Sequence, residues 1–406
     1  LWCVHCGALA DTAASLEKVL AAAAGMPAIN GAPQGWAVFG LHVDDGIGLV
    51  SSASVRDYIT AQIAAEWEIK SSRWQKVLGY TFEVDDDADT VSISCVPSLE
   101  AAVALHAGAA PTFQPKHPYS MGIQSVGPGV KPPDGSPELA EFELMQTNCR
   151  KGLGLGIWQQ RAHVKMTYPI NYLCGYMSHP SAEVYKHYKH TLLHEAAYPG
   201  GLVFGGGGKR SLVNNSSPVP PFTSGQYEYG LHLFVDGNLG TPLPDKSAIA
   251  DGSSTVHPSC HGKSFSGVVA MLGGAPIECL AQRQHLHAPS AYASEVHAAG
   301  TGVHRVVPLR GLLDELRIVQ ESPTIVYCDS ASAIFVAEDS ASVKRSVWIH
   351  RRAAVLREMV DMGEVKFVKV HEKDNCADGL TKPIKTATLA HHLGHILPHF
   401  NYVRVA

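Results

Sequence analysis

The clearest periodic pattern runs from residue 231 to about residue 380. LHLFVD at 231–236 is a short apolar run that closes on an acid just before Gly237. KSFSGVVAML (263–272) and APIECLA (275–281) are two further strand-like runs, and Gly273-Gly274 between them is a hairpin signal. Pro289 and Ser290 open a helical pattern over 289–304. TIVYC (324–328) reads as a buried strand, followed by a short helix over 331–337 and a longer one over 343–362 that Gly363 ends. EVKFVKV (364–370) alternates like a half-buried strand, and Asp374 or Asn375 is placed to cap a last short helix. The predicted order is β, β-hairpin, α, β, α, α, β, α. It describes an α/β (mixed) fold, with helices on both faces of a mixed sheet.

The front half is less regular. In WAVFGLHVDDGIGLV (36–50) an apolar strand runs into Asp44-Asp45, Gly46 allows a tight turn, and a second apolar strand leaves. Asp-Gly is a common hairpin turn. Two adjacent aspartates in an apolar hairpin are also costly unless a cation or partner compensates them. The residues alone leave both readings open. VLAAAAGM (19–26) is a short Ala-rich helix at most. VGPGVKPPDGSP (126–137) reads as an exposed loop. Residues 199–225, with four consecutive glycines at 205–208 and Pro218, Pro220 and Pro221, read as a domain boundary. Residues 245–262 read as a loop inserted between the first and second strands, and the tail after Ile384 is rich in histidine.

Composition narrows the class. At 406 residues, 45% hydrophobic and 17% charged, the chain reads as a globular protein of two or three domains. A net charge of −5 gives no global pull toward nucleic acid, and from Leu231 onward 17 Lys+Arg balance 17 Asp+Glu. The basic residues are unevenly spread: Lys344, Arg345, Arg351, Arg352 and Arg357 gather on one predicted helix, where Lys344, Arg351 and Arg352 share a face. That face either holds a duplex backbone or is simply solvated. No stretch reaches the about 18 apolar residues of a membrane span, and Asp11 and Glu17 interrupt any signal-peptide pattern. Nine widely spaced cysteines suggest reduced thiols in a cytoplasmic or nuclear compartment. Cys3-Val4-His5-Cys6 has metal-knuckle spacing, with no second pair nearby to complete a zinc site.

The chemistry is carried by four acids: Asp236, Glu295, Asp329 and Asp378. Each sits where an apolar segment ends or a helix begins. Taken singly, Asp236 is a turn or cap residue, Asp329 a helix N-cap, Glu295 a solvated helix residue and Asp378 a helix-start acid. Taken together, they mark edges from which a fold can point several carboxylates at one spot. Such groups cannot all ionise cheaply side by side. Divalent cations make them tolerable, Mg²⁺ or Mn²⁺ by their preference for oxygen ligands. A pair of such ions can clamp the attacking and leaving oxygens of a phosphodiester.

This order of strands, helices and acids resembles the ribonuclease H fold. YCDSASAI, LREMVDMGEV and NCADGLTKPI resemble the ribonuclease H domain at the end of copia-type LTR-retrotransposon Pol polyproteins. KSFSGVVAMLGGAPIECLAQRQ resembles that family's hairpin and SAYASEVHAA its acidic helix. Two positions depart from the pattern: Ala293 replaces a glutamate two before Glu295, and Asn238 replaces an acid two after Asp236. Upstream, HVDDGIGLV resembles the palm hairpin of reverse transcriptases, KVLGYTFEVDDDADTVSIS (76–94) the strand pair after the palm, and MSHPSAEVYKHYKHTLLHEAAY (177–198) the helix leading toward ribonuclease H. Lys186 and Lys189 of that helix are placed to meet a phosphate backbone, or are a solvated face.

The resemblance implies a partial reverse-transcriptase palm over 1–100, a thumb- or connection-like region over 101–198, a linker over 199–225, a ribonuclease H-like domain over 226–384 and a tail over 385–406. It implies that Asp236, Glu295, Asp329 and Asp378 hold two Mg²⁺ (or Mn²⁺) ions and cut the RNA strand of RNA–DNA hybrids, leaving a 5′-phosphate and a 3′-hydroxyl. Asp236 would serve both ions, Glu295 and Asp329 the one near the leaving oxygen, and Asp378 the one that activates water. The paired Asp44 and Asp45 would belong to a polymerase metal site. That family has a further catalytic aspartate on an upstream strand. None of the 43 residues before Asp44 reads as such a strand, and the chain begins at Leu1 rather than Met, so it is expected not to polymerise by itself. The missing part of the polyprotein would be a partner, within a virus-like particle in a complete element. A histidine before the last aspartate assists product release in some ribonucleases H, and His371 stands in that place. Two alternatives remain: a degenerate, inactive or merely nucleic-acid-binding relic, and a different nuclease on the same fold, such as an integrase or junction nuclease.

Overall fold

A computed structural model describes residues 2–6, 37–42, 45–50, 52–72, 76–85, 87, 90–108, 114–205, 230–240, 262–272, 275–285, 287–316, 318, 320–338 and 349–397. The Ala-rich run at 19–26 and most of the expected inserted loop at 245–262 lie outside them. The chain divides into two compact parts, Leu1–Val84 and Asp85–Ala406. Among the described residues no helix is long and apolar enough to cross a membrane.

The first part is an antiparallel sheet of β1 (Trp2–Cys6), β2 (Ala37–His42), β3 (Asp45–Val50) and β4 (Ile69–Ser72), in the order β2-β3-β1-β4. Helix α1 (Ala53–Glu66) starts where Ser52 Oγ accepts from Val55 N–H, and it buries Val55, Ile59 and Ile63, one per turn, against Ala37, Val50 and Ile69. The hairpin register differs from the sequence expectation. His42 stands opposite Asp45 and Leu41 opposite Gly46, so Asp45-Gly46 belong to β3 rather than to a turn. The reason is the third strand: β1 pairs His5 with Asp45 and Val4 with Gly46, which engages their backbone in the sheet. β1 therefore lies upstream of Asp44, and its sequence WCVHC carries no carboxylate. β5 (Lys76–Val77) and β6 (Tyr80–Asp85) form a tight hairpin through Leu78 and Gly79, both at positive φ (51° and 81°).

The second part begins with β7 (Thr90–Ser94) and the helices α2 (Val96–His106), α3 (Pro137–Gln159), α4 (Thr167–Cys174) and α5 (Ala182–Ala197). The Gly-rich stretch expected to be linker starts as a strand: LVFG forms β8 (Leu202–Gly205), whose Leu202 pairs with Ile93 of β7. Residues 206–225 lie outside the described residues. A buried charge cluster ties the helices together. Glu195 Oε1 lies 2.8 Å from His163 Nδ1 and Oε2 lies 3.3 Å from Lys165 Nζ, with all three side chains inaccessible to water. Because Cys95 N–H donates to His163 Nε2, the ring proton sits on Nδ1 and is donated to Glu195. Burial alone would push the Glu195 carboxyl up, but Lys165 and His163 hold it down at about 2.

A five-stranded sheet follows: β9 (Leu231–Gly237), β10 (Phe265–Leu272), β11 (Ala275–Arg283), β12 (Thr324–Cys328) and β13 (Val365–Lys369), ordered β11-β10-β9-β12-β13. The first three are antiparallel, and β12 is parallel to both β9 and β13. This is the mixed sheet flanked by helices that the sequence predicts. Leu231, Leu233 and Val235 enter the core beneath α6 (Ala291–Glu315), α7 (Ala331–Glu338) and α8 (His350–Asp361), while Phe234 stacks on Tyr327. The helix expected over 289–304 runs on through Pro308 to Glu315. Arg310 holds its second half, with its Nε 2.7 Å from Glu364 Oε2 and donations to the Ser322 and Gln320 carbonyls. The expected terminal helix is two 3₁₀ turns, Glu372–Asp374 and Cys376–Leu380. The His-rich tail then forms α9 (Thr386–Ile396), which buries Leu389, Leu393 and Ile396. The helical region and the sheet meet within this part: Arg283 lies over the rings of Tyr172, Tyr176 and Phe265, and Ile384 N–H donates to the Tyr119 hydroxyl.

At the end of β9 the backbone of Gly237 passes so close to α6 that a Cβ there would stand 2.5 Å from the Ser294 carbonyl oxygen and 2.9 Å from the Glu295 nitrogen. Both are backbone atoms of a helix and cannot swing aside. Gly237→Ala should therefore cost about 1–3 kcal/mol of stability by overpacking, read as a lower urea midpoint with an unchanged slope.

Candidate metal centre

Parallel pairing of β9 and β12 builds the centre. Cys328 stands across from Val235, so the next residues, Asp329 and Asp236, leave the two strands side by side. Asp236 is 3% exposed. Ser290 caps α6 by accepting from Ala293 N–H, which places Glu295 in the second turn, where its Oε2 accepts from Gly237 N–H at 3.1 Å. Glu295, Cys328 and Asp329 each offer a ligand atom within 4.8 Å of the others. Asp378 lies on the Cys376–Leu380 turn. Asn375 caps that turn through Oδ1, which accepts from Ala377 N–H, and donates from Nδ2 to the Val235 carbonyl at 2.9 Å. One side chain thus pins the Asp378 turn to the strand that presents Asp236.

Electrostatics report the crowding. Burial raises the Asp236 carboxyl to about 7, helped by the charges of Asp378 and Asp329 and opposed by the Thr381 hydroxyl. Burial raises Glu295 to about 9, with Asp236 and Asp329 adding to it. Asp378 is also raised, by burial and by Asp329, against the pull of Lys382, whose Nζ lies 2.5 Å from Asp378 Oδ1. Asp329 Oδ1 is a buried oxygen with no hydrogen-bond partner. The Thr381 hydroxyl has one proton and faces two oxygens, Asp236 Oδ2 and the Asp378 carbonyl. A protonated Asp236 can supply the second proton, which agrees with its raised pKa.

The structure brings the four predicted acids into one cluster. Of the other predicted site residues, Asp45 opens β3, and Asp44 lies outside the described residues. Lys344 and Arg345 also lie outside them, while Arg351 is exposed and Arg352 half-buried on α8. Arg357 of the same helix donates to the Val336 carbonyl at 3.0 Å and so ties α8 to α7. Lys186 is exposed and 3.6 Å from Glu183, and Lys189 lies over the Tyr185 ring. His371 is exposed and caps the Glu372–Asp374 turn through Nδ1.

Sequence reasoning missed the residues that hold the acids. Thr381 and Lys382 lie three and four positions after Asp378, a spacing that one helical turn brings together. Asn238 was noted only as a lost acid. It is a hub: Nδ2 donates to the Thr381 carbonyl at 2.8 Å, Oδ1 accepts from Phe265 N–H at 2.6 Å, and its carbonyl accepts from Ser294 Oγ at 2.5 Å.

The chain is similar to retrotransposon Pol polyproteins of the copia type. Over 122 residues it is 34% identical to the retrovirus-related Pol polyprotein from transposon TNT 1-94 of Nicotiana tabacum, a match covering 30% of this chain and 9% of that polyprotein. Over 121 residues it is 27% identical to the Pol polyprotein from transposon RE2 of Arabidopsis thaliana, covering 30% of this chain and 8% of the relative. The chain thus spans less than a tenth of the length of these relatives. No family model matches. Among solved structures, LC11-RNase H1 isolated from compost is similar at 15% identity and a TM-score of 0.23, covering 38% of this chain and 93% of that one. A foamy viral protease-reverse transcriptase in complex with double-stranded DNA is similar at 10% identity and a TM-score of 0.41, covering 88% and 48%.

The raised carboxyls make stability depend on pH. A carboxyl whose folded pKa lies above its unfolded value, ~4.3 for glutamate, favours folding while protonated. Glu295 therefore gives full support below about pH 4, and that support fades as pH climbs toward 9. Glu295→Gln keeps the acceptor for Gly237 N–H and removes the ionisation. In metal-free protein its melting temperature, relative to wild type, should rise between pH 5 and pH 8, as thermal denaturation at both values will show.

Proposed function

We propose that the four-carboxylate centre hydrolyses the RNA strand of RNA–DNA hybrids with two divalent ions. The observation that carries this reading is the convergence of Asp236, Glu295, Asp329 and Asp378, with Asp236 and Glu295 pushed up to about 7 and about 9 by burial and by their acidic neighbours. The donor set fits Mg²⁺ or Mn²⁺: it is built from carboxylate oxygens, and the buried Asp329 Oδ1 has no protein partner. When bound, such ions stabilise charge on a phosphodiester and activate water for its attack.

The chain's own residues set the stage. Asp236 interacts electrostatically with the other three acids, which suits it to be the shared ligand, while Glu295, Asp329 and Asp378 complete the set. Thr381 orients the Asp236 carboxyl, and Lys382 limits the negative charge at Asp378. Asn375 and Asn238 keep the turn bearing Asp378 against the sheet. Exposed Arg351 and half-buried Arg352 lie on α8, which packs against the helix bearing Glu295, and would hold a backbone phosphate there. An A-like hybrid is read through its shape and 2′-hydroxyls.

With Mg²⁺ or Mn²⁺ the full chain should cut a labelled RNA–DNA hybrid and leave single-stranded RNA and duplex DNA intact. Asp329→Asn should lower that cleavage about a hundredfold or more, and Thr381→Val, which removes only the orienting hydroxyl, about tenfold. A folded Asp329→Asn variant with full activity contradicts the assignment. A folded wild type that binds the hybrid without cutting it points to a relic that has kept binding alone, and cleavage of duplex DNA points to a different nuclease.

A further inference from the structure

The histidines of the C-terminal region take no part in the acidic centre, yet three side chains there converge. His391 and His395 lie one turn apart on α9, and their Nε2 atoms face each other at 3.2 Å. Asp374, on the Glu372–Asp374 turn, brings Oδ1 to 3.0 Å from the same His391 Nε2. The three ligand atoms all lie within 4.8 Å of one another, and Asp374 and His395 are half-buried while His391 is exposed.

Hydrogen bonding alone does not account for this focus. His391 Nε2 carries either one proton or one lone pair. If it carries the proton, it must share it between a carboxylate and an imidazole nitrogen. If it carries the lone pair, it faces the carboxylate oxygen with no proton between them. A cation at the focus would take one lone pair from each of the three groups and end the sharing at His391. The spacing also suits one: two ligands at the zinc–imidazole distance in a tetrahedral shell are separated by about 3.3 Å, an edge that 3.2 Å and 3.0 Å approximate. Two imidazoles and one carboxylate are a donor set for Zn²⁺ and related transition ions rather than for Mg²⁺.

We propose that Asp374, His391 and His395 form a zinc-class metal site that staples α9 to the turn just before Asp378. Its place in the fold gives it a purpose. α9 packs on both 3₁₀ turns, and His392 adds a hydrogen bond from its ring to the Lys373 carbonyl at 3.0 Å. A metal clamp at this point fixes the segment that presents Asp378. The site is separate from the acidic centre and stands whether or not the chain cuts hybrids.

The test is titration of the metal-free full chain with Zn²⁺ alone, followed by calorimetry and thermal denaturation. His391→Gln and His395→Gln serve as variants, each first shown to unfold at the wild-type temperature without metal. Other ligand groups of the chain are common to all three proteins and cancel in the comparison. Wild type should take up one more equivalent of Zn²⁺ than either variant, and only wild type should gain the part of the melting-temperature increase that goes with it. In the Co²⁺-loaded protein, the visible bands of a low-coordinate imidazole site should be present in wild type and absent from both variants. Equal Zn²⁺ uptake by all three proteins overturns the proposal, as does loss in one variant with retention in the other.

Discussion

Repulsion among four carboxylates, confined at the end of β9, is the constraint on which the second part of the molecule depends. Ionised acids in a buried cluster oppose the fold that gathers them. The cluster therefore survives only because the backbone leaves its side chains no retreat. Asp236 and Asp329 leave adjacent parallel strands, Glu295 is anchored by Gly237 N–H, and Asp378 rides on a turn sewn to β9 by Asn375. The structure also relieves part of the charge. Protonation of Asp236 and Glu295 and the Lys382–Asp378 ion pair each remove some of it.

A second buried charge set shows the contrasting solution. Glu195 is as deeply enclosed as Asp236, but it has Lys165 and His163 as partners and stays ionised. The helical region thus compensates its buried acid from within the chain. The acidic centre does so only in part: Lys382 pairs with Asp378, but Asp236 and Glu295 are still pushed up. Within one fold, a fully compensated cluster reads as architecture and a partly compensated one as a place for an external cation.

Much of this was legible in the sequence. The edges of TIVYC at 324–328 coincide with β12, because a fully buried strand shows a continuous apolar run bounded by polar residues. Asp236 and Asp329 were legible because they close such runs. The misses have physical causes. The Asp44-Asp45 hairpin was misplaced because Asp-Gly favours a turn locally, whereas pairing with distant β1 draws Asp45 and Gly46 into the sheet. The helix expected over 289–304 extends past Pro308, which lacks an N–H, because contacts made by Arg310 far along the chain hold its second half. β8 was hidden in a Gly-rich context, and α9 among histidines, although Leu389, Leu393 and Ile396 repeat with helical spacing. The cap at Asn375 and the i,i+4 spacing of Lys382 from Asp378 are local signals. Asn238, and Thr381 in its bond to Asp236, carry none: their roles exist only once segments distant in sequence stand side by side.

The central claim is that this cluster is held together for divalent cations. It is tested most directly by calorimetric titration of the full chain with Mg²⁺ at pH 7, in two buffers of different ionisation enthalpy. Asp236 and Glu295, raised to about 7 and about 9, must give up protons when a cation takes their oxygens. The account predicts Mg²⁺ binding with release of roughly one to two protons, and loss of that release in Asp236→Asn/Glu295→Gln. Mg²⁺ binding without proton release, or no binding by folded protein, would contradict it.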